Sequence, residues 1–189
     1  MRRLFSITLV MLLSSAMFFV AVSAGGDLVT KPFKAKWTGI IYVTGPCTDS
    51  SFPPYAVSVI NVGKGDTTLT GESDWLSGYC AYPPDPINNP TYLIGSGWGI
   101  VTTSKGDTMH VSVSVSADLS KTPTEWSETE LTLGGTGRFE GATGGVSESF
   151  GTYTSGANPF AFSGGTKSPV LAPPQGWVGT TEGEIEFTK

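Results

Sequence analysis

The chain has 189 residues, 39 % of them hydrophobic, with 11 Lys and Arg against 16 Asp and Glu and a formal charge of −5. An acidic balance argues against nucleic acid and anionic membrane as partners. No block of like charge, helical heptad or low-complexity tail breaks the sequence, and one histidine with two cysteines is too few for a thiolate–imidazole metal centre, so no metal and no cofactor is expected.

Arg2 and Arg3 precede an apolar run over residues 4–22, and Val22-Ser23-Ala24 supplies small side chains at −3 and −1 of a signal-peptidase site. Residues 1–24 are therefore expected to be a cleaved secretory signal. Residues 25–189 are expected to form a single secreted or periplasmic domain with no stable membrane insertion. An uncleaved anchor is the alternative, because the run is long enough to span a bilayer. Without Arg2 and Arg3 the 11 basic residues become 9 against 16 acidic ones, a formal charge of −7. This length suffices for one domain with a full core. In an oxidising compartment Cys47 and Cys80 are expected to pair, stabilising the fold by roughly 3–4 kcal/mol on the chain-entropy model.

Beyond residue 25 short runs of period two alternate with Gly, Pro, Asn and Asp, the pattern of strands and turns. Phe33, Ala35, Trp37, Gly39, Ile41 and Val43 share one face of a first strand. A second strand over residues 56–62 is expected to turn at Gly63-Lys64-Gly65-Asp66 into a third over residues 67–75. A proline-rich loop over residues 82–90 leads into a strand over residues 91–103 that contains Gly95, Gly97 and Gly99. Lys105-Gly106-Asp107 turns the chain into a strand where Met109, Val111, Val113, Val115 and Ala117 oppose His110, Ser112, Ser114 and Ser116. Further strands are expected over residues 126–133, 146–154 and 177–188, the last with Trp177, Thr181, Ile185 and Phe187 on one face.

About eight strands with one apolar face each describe an antiparallel all-β domain. A closed barrel with an apolar interior and a two-sheet β-sandwich both satisfy the pattern. A transmembrane barrel would need its apolar face outward and fits less well. Closure removes exposed edges, and interior glycines suit strands that bend around a small barrel.

Leu133-Gly134-Gly135-Thr136-Gly137-Arg138-Phe139-Glu140-Gly141-Ala142-Thr143-Gly144 resembles the Gly-Gly-Thr-Gly-x-Phe-x-x-Ala-x-Gly stretch of dirigent proteins, and is similar to bacterial secreted proteins grouped with the allene oxide cyclase and dirigent barrels. Gly63-Lys64-Gly65-Asp66-Thr67-Thr68-Leu69 and Thr181-Glu182-Gly183-Glu184-Ile185-Glu186-Phe187 resemble other segments of those barrels more loosely. The resemblance implies a single eight-stranded antiparallel β-barrel in which residues 134–145 shape a strand pair. Gly135, Gly137, Phe139 and Gly141 are its structural motif. Chemistry does not transfer with a fold. The expected inward residues Trp37, Gly39, Ile41, Met109, Val111, Val113, Ile185 and Phe187 include no ionisable group. No catalytic residue is therefore assigned, and Trp37, Ile41, Trp177 and Phe187 are the expected lining of a ligand cavity.

The remaining candidates read as structural. His110 sits on the serine face of its strand and is expected at the surface. Arg138 and Glu140, two apart on an expected strand, read as a surface ion pair. Position 140 denies the stretch a dinucleotide fingerprint, for which a third glycine would be needed. Glu182, Glu184 and Glu186 spread over about 13 Å of strand, which reads as a solvated face and not as a calcium loop. Trp75, Tyr79, Tyr82 and Tyr92 flank the proline-rich loop and are expected to anchor it, with ligand-facing rings as the alternative. The leading expectation is a noncatalytic barrel that binds a small apolar or phenolic ligand or an extracytoplasmic partner. The alternatives are a cyclase, isomerase or dirigent-type activity in the interior, and a structural component of the envelope. The sequence sets no oligomeric state.

Overall fold

The computed structural model describes residues 27–154, 160–161, 170–171 and 174–188; the expected signal, residues 1–24, lies outside them. The strands are β1 (Leu28–Pro46), β2 (Val57–Thr67), β3 (Gly71–Tyr82), β4 (Tyr92–Thr103), β5 (Thr108–Asp118), β6 (Glu125–Gly135), β7 (Ala142–Gly144), β8 (Val146–Tyr153), β9 (Phe160–Ala161), β10 (Val170–Leu171) and β11 (Gln175–Thr188). Eight of them pair in the order β1-β2-β3-β4-β5-β6-β8-β11, and β11 pairs back onto β1. All pairings are antiparallel and the ring is closed, so the fold is a barrel and not a sandwich. Short β7 adds to the end of β11, and β9 and β10 form a separate two-stranded ribbon.

The period-two pattern decides which side chains enter the barrel. Phe33, Ala35, Trp37 and Ile41 of β1, Met109, Val111 and Val113 of β5, and Ile185 and Phe187 of β11 are all buried in one core. Inward glycines make room for the lumen tryptophans. A Cβ on Gly65 would stand 2.2 Å from the Trp37 ring, and one on Gly99 2.4 Å from Trp75. Gly39 and Gly63 leave the same room for Trp177, as Gly151 and Gly179 do for Trp126.

This packing corrects one expected turn. Gly63-Lys64-Gly65-Asp66 runs on inside β2, in register with Trp75 to Glu72 of β3, because Gly63 and Gly65 face rings and not solvent. The chain reverses later, after Thr67, where the Thr70 amide donates to Thr67 Oγ1 at 3.1 Å. The expected hairpin at residues 105–107 does form, with Gly106 at φ +85°.

Antiparallel order gives the barrel two unlike ends. The hairpin end carries the short β2–β3 and β4–β5 turns and residues 134–145. The loop end carries the long connections, among them residues 47–56 and 83–91. The Cys47–Cys80 disulfide ties the β1–β2 connection to β3 there, with Cα atoms 5.7 Å apart.

Residues 134–145 differ from the strand pair that was expected. They form the end of β6, a 3₁₀ turn at Gly137–Phe139, and three-residue β7. Gly137, at φ +59°, lies so close to Asp107 that a Cβ has no room. Phe139 turns inward, 1 % exposed, and joins the core. Arg138 and Glu140 therefore do not share a strand face. Arg138 Nε instead pairs with Asp107 at 3.1 Å, and its Nη1 donates to the Leu69 carbonyl at 2.8 Å, which ties the turns of the hairpin end together.

Candidate functional site

The lumen contains two carboxyl groups, which corrects the expectation that no ionisable residue faces inward. On β6, Trp126, Glu128, Glu130 and Thr132 are buried, whereas Leu131 and Leu133 are 45 % and 60 % exposed. Apolar patterning points the other way, since it would turn the leucines inward. The phase is set by Trp126, whose ring fills the space left by Gly151 on β8 and Gly179 on β11. Residues at even spacing from Trp126 must then share the lumen.

Glu130 is fully partnered. Its Oε2 accepts from Ser147 Oγ at 2.9 Å and its Oε1 from Ser149 Oγ at 2.5 Å. Ser149 Oγ also meets Thr181 Oγ1 at 2.6 Å, and Trp37 Nε1 donates to Thr181 Oγ1 at 2.9 Å. Each hydroxyl has one hydrogen. With Ser149 donating to Glu130, Thr181 must donate to Ser149 and accept from Trp37. The chain Trp37–Thr181–Ser149–Glu130 thus points every donor at one carboxylate.

Glu128 is the opposite case. Among the described residues, three buried side-chain polar atoms have no hydrogen-bond partner: Glu128 Oε1, Trp126 Nε1 and Trp177 Nε1. Burial pushes both carboxyls above the ordinary 4.5, and the two serines pull Glu130 back down. Nothing offsets the burial of Glu128, and the neighbouring Glu130 pushes it higher still. Of the pair, Glu128 is thus the carboxyl driven further toward its neutral form, and Glu130 the one better able to carry a charge. Tyr79 and Tyr153 are pushed up chiefly by burial, with Glu128 adding to both, and stay phenols.

The three unpartnered atoms belong to residues around one cavity of about 20 Å³, which Asn61, Tyr79 and Tyr153 also line. The Trp126 and Trp177 rings meet edge to face with centroids 5.7 Å apart. Asn61 Nδ2 donates to Ser77 Oγ and Tyr79 Oη, both at 3.3 Å. A second cavity of about 10 Å³ shares Tyr79, Val115 and Tyr153, and continues along Ala81, Leu93 and Ala117 of the loop-end half. Each buried polar atom left without a partner costs about 1–3 kcal/mol, so three around one cavity are unusual unless something bonds to them.

Of the expected cavity lining, only Trp177 reaches this cavity. Trp37 lies in the lumen, but its N–H is bound to Thr181. Ile41 is apolar core. Phe187 packs near the hairpin end, where its strand meets Ala142 and Lys31 Nζ stands 4.6 Å above its ring. Trp75 and Tyr79, expected to anchor the proline-rich loop, are instead buried in the barrel. Tyr82 does act as an anchor, packed edge-on against Phe52 and Tyr55 at 6.1 and 6.4 Å. His110 is exposed, 3.3 Å from Thr108 Oγ1. Glu182 is exposed and pairs with Lys34 at 3.2 Å. A depression of about 380 Å³, lined by exposed Lys34, Lys36, Asp66 and Glu182 and by buried Ala35, Thr67 and Thr181 among others, is larger than the lumen cavities but is lined by none of the residues that carry the three unpartnered atoms.

Glu128, Glu130, Ser147 and Ser149 went unread in the sequence. The available signal was Trp126: a tryptophan two residues before Glu128 outweighs two leucines in deciding which face is buried. No protein-family model matches the chain, and neither the curated proteins nor the solved structures yield a match.

Proposed function

We propose that the protein is an exported binding domain that takes a small, uncharged ligand into its lumen from the loop end. The observation that carries this reading is that Trp126, Trp177 and Glu128, each with a buried polar atom that has no hydrogen-bond partner, line one cavity. Pockets that bind small molecules combine an apolar lining with a few polar groups, and residues of both kinds line this cavity. A cavity of about 20 Å³ takes little more than one oxygen atom. A larger ligand enters only if Tyr79 and Tyr153, which border both cavities, turn aside. Export is supported by the signal-like start and the disulfide.

The experiment is native mass spectrometry of the gently purified protein, followed by titration of tryptophan fluorescence with small aromatic and aliphatic compounds. A retained small molecule, or a saturable change abolished in Trp177→Phe, is the expected outcome. A barrel that retains nothing and saturates with none of the compounds would leave the lumen a packed scaffold and sink the reading.

A second reading is favoured by Glu128. A buried carboxyl pushed well above its ordinary range by burial and a neighbouring acid is suited to general acid catalysis, as a cyclase or isomerase reading requires. Glu128→Gln would abolish turnover there, yet leave noncatalytic binding in place.

A further inference from the structure

The outer wall of β1–β4 carries an apolar face, and we propose that it is the interface of a two-fold dimer, docked against the same face of a second copy of this chain. Register sets Ile40, Val62, Leu76 and Ile100 side by side across the four strands. Tyr42, Ile60, Gly78 and Trp98 form the next row toward the loop end. Ile40, Val62, Leu76 and Trp98 are 36–45 % exposed. A Cβ on Gly78 would stand 2.9 Å from the Trp98 ring and 3.1 Å from Ile60 Cδ1, so the indole closes the one gap in its row. None of these positions carries a charge. On β5 the same register continues into His110 and Ser112, where both apolar rows end.

The rim selects the partner. One row toward the hairpin end, Lys64 of β2 and Asp74 of β3 lie opposite each other, 3.6 Å apart and largely exposed. A two-fold axis along the strands, between β2 and β3, lays β2 of each copy over β3 of the other. Lys64 then meets Asp74 of the partner copy and Asp74 its Lys64, while Val62 meets Leu76 and Tyr42 meets Trp98. Face-to-face sheets keep their strands within about 30° of each other, which this axis allows. At ordinary strand spacings the two apolar rows cover about 260 Å² of wall, and a polar row on either side doubles the footprint to about 520 Å². Upright side chains expose more than their footprint, which brings the face to the order of the roughly 800 Å² per partner that a standard interface buries. Its apolar centre and polar rim are the usual anatomy of such an interface. Other occupants fit less well. The formal charge of −5 repels an anionic bilayer. An uncharged bilayer would have to take in the Lys64–Asp74 pair, only about 7 Å from the apolar rows. The second exposed cluster, Leu131, Val146 and Phe150, has Glu148 in its midst and no Lys or Arg on β6 or β8 to answer it.

The test is the oligomeric state of the full mature protein, followed by sedimentation velocity across micromolar concentrations. The unaltered protein should sediment as a dimer that dissociates on dilution. Leu76→Lys, at an exposed position, should leave a monomer with an unchanged far-UV spectrum. Lys64→Glu and Asp74→Lys should each weaken the dimer about tenfold or more, because each sets two like-charged pairs across the interface. Mixed in equal amounts, these two variants should pair again, since the mixed dimer restores two opposite-charge pairs. A monomer at every concentration overturns the proposal, as does a ring of three or more copies or a dimer indifferent to Leu76→Lys. Charge variants that fail to pair in the mixture overturn the two-fold register. Monomeric protein that sediments with phosphatidylcholine vesicles, and no longer does so as Leu76→Lys, would assign the face to lipid and overturn the dimer.

Discussion

Glu130 and Glu128 lie two residues apart on one face of one strand, and the lumen treats them differently. Around Glu130, toward the hairpin end, the neighbouring β8 contributes Ser147 and Ser149, small side chains whose hydroxyls donate to the carboxylate, with Thr181 of β11 bonded to Ser149 behind them. Around Glu128, toward the loop end, stand the large rings of Trp126, Trp177, Tyr79 and Tyr153, which leave its Oε1 without a partner and a cavity beside it. Depth of burial is the same for both, so depth does not set their chemistry. The size of the neighbours does: small hydroxyl side chains saturate a buried acid, whereas rings isolate it and push it toward its neutral form.

The contrast can be broken first at its closed end. Phe139→Ala opens the hairpin end and should cost about 3–5 kcal/mol in urea unfolding, without altering the indole resonances of Trp126 and Trp177. A change at those two indoles would mean the halves of the lumen are coupled. At the loop end, replacing Cys47 and Cys80 with serine should cost about 3 kcal/mol. A loss well below that would show that the long connections are held by their own packing, such as Tyr82 against Phe52 and Tyr55.

Ser149→Ala turns Glu130 toward the condition of Glu128. It removes the 2.5 Å bond and should cost about 1–3 kcal/mol at pH 7. The penalty should shrink in acid, where a protonated Glu130 depends less on that bond. An equal cost at pH 4 and pH 7 would indicate a packing effect alone.

The smallest effect concerns Glu128 itself. Both carboxyls titrate above their ordinary 4.5 in the folded protein, so between that value and their raised folded values the folded state binds more protons than the unfolded one. Their stabilising contribution is complete below pH 4.5 and is lost as pH rises through the folded values, at no more than about 1.4 kcal/mol per pH unit for each group. Glu128→Gln should flatten this slope and raise stability near neutral pH by about 1 kcal/mol. An unchanged slope would place the titration on Glu130.

Much of the fold is legible in the sequence because β1, β5 and β11 alternate cleanly and each buries the face that is apolar. The two cysteines were legible for a separate reason, being an even pair in a chain with a signal-like start. β6 was not legible. Its apolar residues Leu131 and Leu133 face outward while its acids face inward, the reverse of what hydrophobicity selects. The glycines of β2 misled in a similar way: Gly63 and Gly65 look like turn residues, yet they serve as clearance for Trp177 and Trp37.

By itself, then, the sequence determined an all-β domain of about eight strands, the faces of its regular strands and its disulfide, because periodicity and cysteine parity are local or countable properties. The tertiary structure alone decided between barrel and sandwich, through the pairing of β1 with β11. It also decided which way β6 faces, because a tryptophan on one strand found its space above glycines on two others. That single choice of phase carried Glu128 and Glu130 into the lumen, where the size of their neighbours made one a partnered carboxylate and the other an isolated acid.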